Sequence, residues 1–114
     1  MEDLKKEIGP ACNLLRAVGH PARLAILCAL SNGERCVGDL AAHLGLGQSN
    51  MSQHLSRLHA AGLVSRRRQH VTVYYGLGGE TAEKLLDVLR ELCCEDRPAA
   101  RRYLEPLESR PGAI

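Results

Sequence analysis

The chain has 114 residues, 45% of them hydrophobic, which is enough for one small domain with a core of its own. It contains no Phe or Trp, so that core must be Leu, Val, Ile and Ala, and a core this light gains from dimerisation. Fifteen Lys and Arg against 13 Asp and Glu leave a net charge of +2, too little to mark a polyanion binder by total charge. No apolar run approaches the ~20 residues that span a bilayer, and the charged residues 1–7 lack the apolar region of a secretion signal. The expectation is a cytoplasmic protein with no membrane partner.

Leu14, Leu15 and Val18 predict a first helix that ends near Gly19, with Gly9-Pro10 breaking or starting it. His20-Pro21 restarts the chain, because proline suits a first helical turn. Leu24, Ile26, Leu27 and Leu30 make a strongly apolar second helix, which Asn32-Gly33 ends. A short third helix spans 37–44, with Val37, Leu40, Ala41 and Leu44 on one face, and Gly45-Leu46-Gly47 turns the chain. In the fourth helix, 49–61, Met51, Leu55 and Leu58 fall at i, i+4 and i+7, one buried stripe. Ser49, Ser52, Gln53 and Ser56 form a second face of short, uncharged side chains. Solvated helix faces ordinarily carry Glu and Lys. A face of hydroxyls and an amide instead presses close to base edges, where it both donates and accepts. Helix, glycine turn and helix in this order make a helix-turn-helix, whose second helix enters the major groove.

Gly62 ends that helix, and 63–68 and 71–77 read as two strands. The turn falls near Gln69-His70, without the Gly or Asn of a two-residue hairpin, so a longer loop is expected. An arginine-rich hairpin after a recognition helix is a wing, placed to meet the phosphate backbone. Gly78-Gly79 closes it. Leu85, Leu86, Leu89 and Leu92 mark a last helix, 81–93. The apolar stripes of the first and last helices exceed what so small a core needs, and pairing across a dimer axis uses them. Residues 1–95 therefore read as a dimeric winged helix-turn-helix domain, mainly α with a two-stranded β-hairpin, and 96–114 as a mobile charged tail with three prolines.

The charge distribution agrees. Between Asp39 and Glu80 there is no carboxylate, while Arg57, Arg66, Arg67, Arg68, His43, His54, His59 and His70 lie inside. A stretch that excludes carboxylates and gathers arginines suits a polyanion, since each phosphate contact releases counterions. An enzyme reading finds no Cys-x-x-Cys, no glycine-rich phosphate loop and no His-Glu-x-x-His. A protein-binding winged helix would not need the carboxylate-free stretch.

Several segments together resemble the ArsR/SmtB family of winged-helix transcriptional repressors. They are Gly19-His20-Pro21-Ala22-Arg23-Leu24-Ala25-Ile26-Leu27, Val37-Gly38-Asp39-Leu40, Gln48-Ser49-Asn50-Met51-Ser52-Gln53-His54-Leu55, Ala61-Gly62-Leu63-Val64 and Val73-Tyr74-Tyr75. The resemblance covers about residues 12–94. It implies a homodimer on near-palindromic double-stranded operator DNA, released by a small inducer. By position, Gln48, Ser49, Asn50, Ser52, Gln53, His54, Ser56 and Arg57 would lie at the groove, with His54 equally open to a helix-packing role. Arg66, Arg67, Arg68, His70 and Thr72 would form or flank the wing.

For the inducer, the resemblance offers three kinds of site. A family metalloid site reads Cys-Val-Cys-Asp-Leu. Here Cys36-Val37-Gly38-Asp39-Leu40 lacks the second thiol, and trivalent arsenic wants three soft ligands. A family zinc site uses His on the last helix, and no His follows His70. The persulfide- and redox-responsive members resemble the chain best. They carry a cysteine in an Ile-Leu-Cys segment of the second helix and another at the end of the last helix. Ile26-Leu27-Cys28 supplies the first, and Cys94 or its neighbour Cys93 the second. That reading needs no cofactor. Taken alone, a cysteine in an apolar helix is more often core filler than reagent, and only the pairing with Cys94 in the family pattern lifts Cys28 above that. The alternative inducer is arsenite, antimonite or a soft metal ion held by Cys12, Cys36, Cys93 and Cys94.

Overall fold

A computed structural model describes residues 2–93. Cys94 and the expected tail lie outside them. The elements in chain order are α1 (Glu2–Val18), α2 (Pro21–Leu30), β1 (Arg35–Cys36), α3 (Val37–Leu44), α4 (Gln48–Ala60), β2 (Val64–Gln69), β3 (Thr72–Leu77) and α5 (Glu80–Cys93). Residues up to Glu83 form one compact unit, and α5 from Lys84 onward belongs to a second.

Helix α1 runs straight through Gly9-Pro10, which was expected to break or start it. Proline forfeits only the backbone bond to the Lys6 carbonyl, and the remaining turns on either side carry the helix past it. Helix α2 begins as anticipated at Pro21, and His20 caps it: the ring Nδ1 accepts the Ala22 N–H at 3.0 Å. Ile26, Leu27 and Leu30 are buried. Arg23 shares that buried face, in register at i, i+3, i+4 and i+7.

The helix-turn-helix forms where the apolar spacing placed it. Gly45 adopts φ 69°, a left-handed conformation that glycine enters without a Cβ penalty. There the N–H groups of Gly45 and Leu46 both return to the Ala41 carbonyl and close the end of α3. Met51, Leu55 and Leu58 of α4 are fully buried with Leu40 of α3, each contributing about 1.5–3 kcal/mol of transfer free energy.

The sheet differs from the expected hairpin in two ways. It has three strands, in the order β1-β3-β2, all antiparallel. Strand β1 is only Arg35 and Cys36, opposite Tyr75 and Tyr74, too short to show any alternation in sequence. The wing turn is the second difference: Gln69 pairs with Thr72, so only His70 and Val71 lie between the strands. His70 takes φ 58° itself, the backbone position that Gly or Asn ordinarily fills. At the base of the wing Gly78 is obligatory, because a methyl there would meet the Gly62 carbonyl oxygen at 2.5 Å.

Helix α5 carries buried Ala82 and Leu86, but Val88 and Leu92 are about half exposed, as are Ile8 and Leu15 on α1. Both helices thus keep apolar surface that the described chain leaves open to solvent.

Candidate nucleic-acid interface

On α4 the face opposite the buried stripe is solvent-exposed over its whole length. Gln48, Ser49, Asn50, Ser52, Gln53, Ser56 and Arg57 are all exposed, and the side-chain amide of Gln48 lies beside Gly38 of α3. None of these side chains is hydrogen-bonded or ion-paired to another described residue. The face therefore keeps its donors and acceptors for a ligand, as reading of base edges requires.

His54 is the exception among the expected groove residues. It is half-buried on the α2 side of α4, with its ring 4.7 Å from that of His20 and its Nδ1 3.4 Å from Arg23 Nη1. Burial, then the neighbouring His20, Arg23 and Arg57, all disfavour its protonated form and hold its pKa below the ordinary imidazole value. The fold thus sets His54 against His20 and Arg23 rather than on the exposed face of α4.

Arg23 was not anticipated, and it organises this corner. Its buried guanidinium donates from Nε to the Ala17 carbonyl at 2.6 Å and from Nη2 to the Arg16 carbonyl at 3.0 Å. Those carbonyls end α1 and have no partner within the helix. One side chain thus closes the end of α1 and reaches the flank of α4. The available signal was a lone charge on the apolar stripe of α2.

The wing arginines divide. Cross-strand register puts Arg66 opposite Tyr75 and Arg68 opposite Val73, while Arg67 and Gln69 face Tyr74 and Thr72. Arg66 is exposed, and Arg68 donates from Nε to the His70 carbonyl at 3.2 Å, at the tip. Arg67, expected to meet phosphate, is already engaged. It grips Glu34 with Nη2 at 2.9 Å and Nε at 3.1 Å, donates Nη1 to Gln69 Oε1 at 2.9 Å, and lies 4.9 Å above the Tyr74 ring. The Arg67 bonds hold the Glu34 carboxyl below its ordinary pKa. Glu34 lies outside the carboxylate-free stretch in sequence, and the pairing of β1 with β3 brings it there. His70 is exposed at the turn and Thr72 half-buried beside it.

Among the cysteines, Cys28 is exposed although its neighbours Leu27 and Ala29 are buried, so it does not fill the core of the described chain. Cys12, Cys36 and Cys93 are half-buried. Cys36 sits at the start of α3 without a side-chain capping bond. Among the described residues no three His, Cys, Asp or Glu side chains converge as a metal site would require.

Residues 20–66 match the family model described as bacterial regulatory protein, arsR family. The biofilm growth-associated repressor of Xylella fastidiosa is 35% identical over 99 residues, 87% of each chain. The solved structure of reduced HlyU from Vibrio cholerae is 37% identical, with a TM-score of 0.75 over 83% of this chain and 100% of that one. A homodimeric winged helix-turn-helix DNA-binding domain from Mycobacterium bovis superposes with a TM-score of 0.77 at 27% identity, covering 84% of this chain and 89% of that one. The fold, the open polar face of α4 and these likenesses agree on a DNA-binding transcriptional regulator and not an enzyme. The chain belongs to the arsR family of bacterial regulatory proteins.

Proposed function

We propose that the chain is a homodimeric repressor of near-palindromic operator DNA, released when a cysteine pair is modified by a persulfide or an oxidant. Cys28 with Cys94, or with Cys93, is that pair. The observation that carries the reading is the exposure of Cys28 on α2, on the side away from buried Ile26, Leu27 and Leu30, which leaves its sulfur accessible to a persulfide. The half-exposed Ile8, Leu15, Val88 and Leu92 on α1 and α5 support the dimer, as does the homodimeric neighbour.

The chemistry balances without a metal. Each thiolate attacks the outer sulfur of a persulfide, breaks its S–S bond and releases the donor thiolate, leaving a cysteine persulfide. One cysteine persulfide then attacks the other. One extra sulfur stays in the bridge between the two residues, and the second leaves as hydrogen sulfide. Tying the end of α2 to the end of the last helix alters the spacing of the two recognition helices, which a two-fold operator fixes at about 34–36 Å.

The test is intact mass and peptide mapping after exposure to glutathione persulfide, paired with binding of duplex DNA. A Cys28–Cys94 or Cys28–Cys93 cross-link carrying added sulfur, with about a tenfold loss of affinity, is expected. Cys28→Ser should bind DNA as before and no longer respond. Scattered single-thiol additions with DNA binding intact would sink the switch.

A further inference from the structure

Arg16, in the last turn of α1, and Arg57, in the last turn of α4, line one open concavity of about 360 Å3. Asn13, Ala17, Ala60 and Ala61 complete its wall. Both guanidiniums are exposed, and neither is hydrogen-bonded or ion-paired to another described residue. The alanines are small enough to let a bulky anion approach both cations.

Electrostatics decides whether an anion is welcome. Each helix C-terminus contributes roughly half a negative charge, so the ends of α1 and α4 together oppose an anion with about one charge. Two guanidiniums outweigh that. The end of α1 is moreover neutralised from behind, because Arg23 covers the carbonyls of both Arg16 and Ala17. Arginine forks match phosphate oxygens in a bidentate geometry.

We infer that Arg16 and Arg57 form a phosphate-binding notch that takes a backbone phosphate of bound DNA. The inference rests on the reading of α4 as the recognition helix. Arg57 follows Gln53 by one turn of α4, so the notch continues the exposed polar face towards α1. It would anchor the helix on the sugar-phosphate backbone and read no base.

The test uses the full chain with a mixed-sequence 30-base-pair duplex, titrated by fluorescence anisotropy from 50 to 200 mM KCl. Arg16→Gln should lower the slope of log affinity against log salt, and Arg16→Gln with Arg57→Gln should lower it by about one, the share of the single phosphate that the two hold. Arg16→Lys, which keeps the charge, should restore most of the slope. In a second arm, inorganic phosphate is exchanged for chloride at constant ionic strength and thermal stability is followed. A slope unchanged in Arg16→Gln, with phosphate raising the melting temperature of the parent and not of the variant, would keep the notch but give it a free anion as occupant, overturning the DNA assignment. An unchanged slope with no phosphate effect would overturn the notch altogether. Failure of the parent to bind any duplex would instead sink the DNA-binding reading, and the phosphate arm would still report on the notch.

Discussion

The recognition helix and the wing both present polar surfaces from one carboxylate-free stretch of sequence, but the fold treats them differently. On α4 the exposed side chains Gln48, Ser49, Asn50, Ser52, Gln53 and Ser56 are uncharged, and none is hydrogen-bonded or ion-paired to another described residue. On the wing the charged face is partly spent, since Arg67 closes on Glu34 and Gln69 while Arg66 and Arg68 stay directed elsewhere. Segregation of charge along a sequence is therefore not segregation in space. A two-residue strand is enough to carry a carboxylate across.

The largest test of that contrast is Gln53→Ala. If α4 reads bases, the change should cost about 1–3 kcal/mol of discrimination between preferred and mismatched duplexes, measured by competition. Equal loss on all sequences would return α4 to a solvated face. Next in size, Arg66→Ala with Arg68→Ala should weaken binding to every duplex and lower the salt slope by about two. Arg67→Ala should leave the slope nearly unchanged, and Glu34→Gln should raise affinity for all duplexes by freeing the guanidinium. A slope drop of one in Arg67→Ala would mean that the ion pair opens on DNA.

The smallest expected effect is on stability. The folded pKa of His54 lies below its ordinary value, so the unfolded chain binds more protons in that range. Stability from this group is complete above the ordinary imidazole pKa and declines as pH falls towards the lowered one. Melting temperature should drop on acidification below about pH 6.5 and drop less in His54→Gln. Glu34 acts in a separate, more acidic window, because its stabilisation is present above the ordinary carboxyl pKa and is lost as pH falls through its lowered value. Identical pH profiles for parent and His54→Gln would show that His54 does not set the acid sensitivity of the fold.

What could be read from the sequence followed periodicity. Met51, Leu55 and Leu58 repeat at helical spacing, and that repeat located α4, its buried side and hence its exposed one. Contacts between segments distant in sequence carry no such signature. Arg35 and Cys36 alternate with nothing, yet their pairing with Tyr75 and Tyr74 built the third strand and delivered Glu34 to Arg67. Pro10 carried a local rule that the surrounding turns overrode, and His70 accepted a backbone position usually left to glycine. Arg23 was visible as a charge on an apolar stripe, but its three partners lie on α1 and α4, six to 31 residues away. The thiol pair came from resemblance alone, and its exposed member is what the fold adds.

Arg23 also has a mechanical consequence. A single guanidinium is bolted to the last carbonyls of α1 and set against the flank of α4, in a buried place where replacing those bonds with water is costly. The joint between the two helices therefore rests on buried hydrogen bonds that salt screens little, whereas the ion pair that decorates the wing lies in open solvent, where salt weakens it.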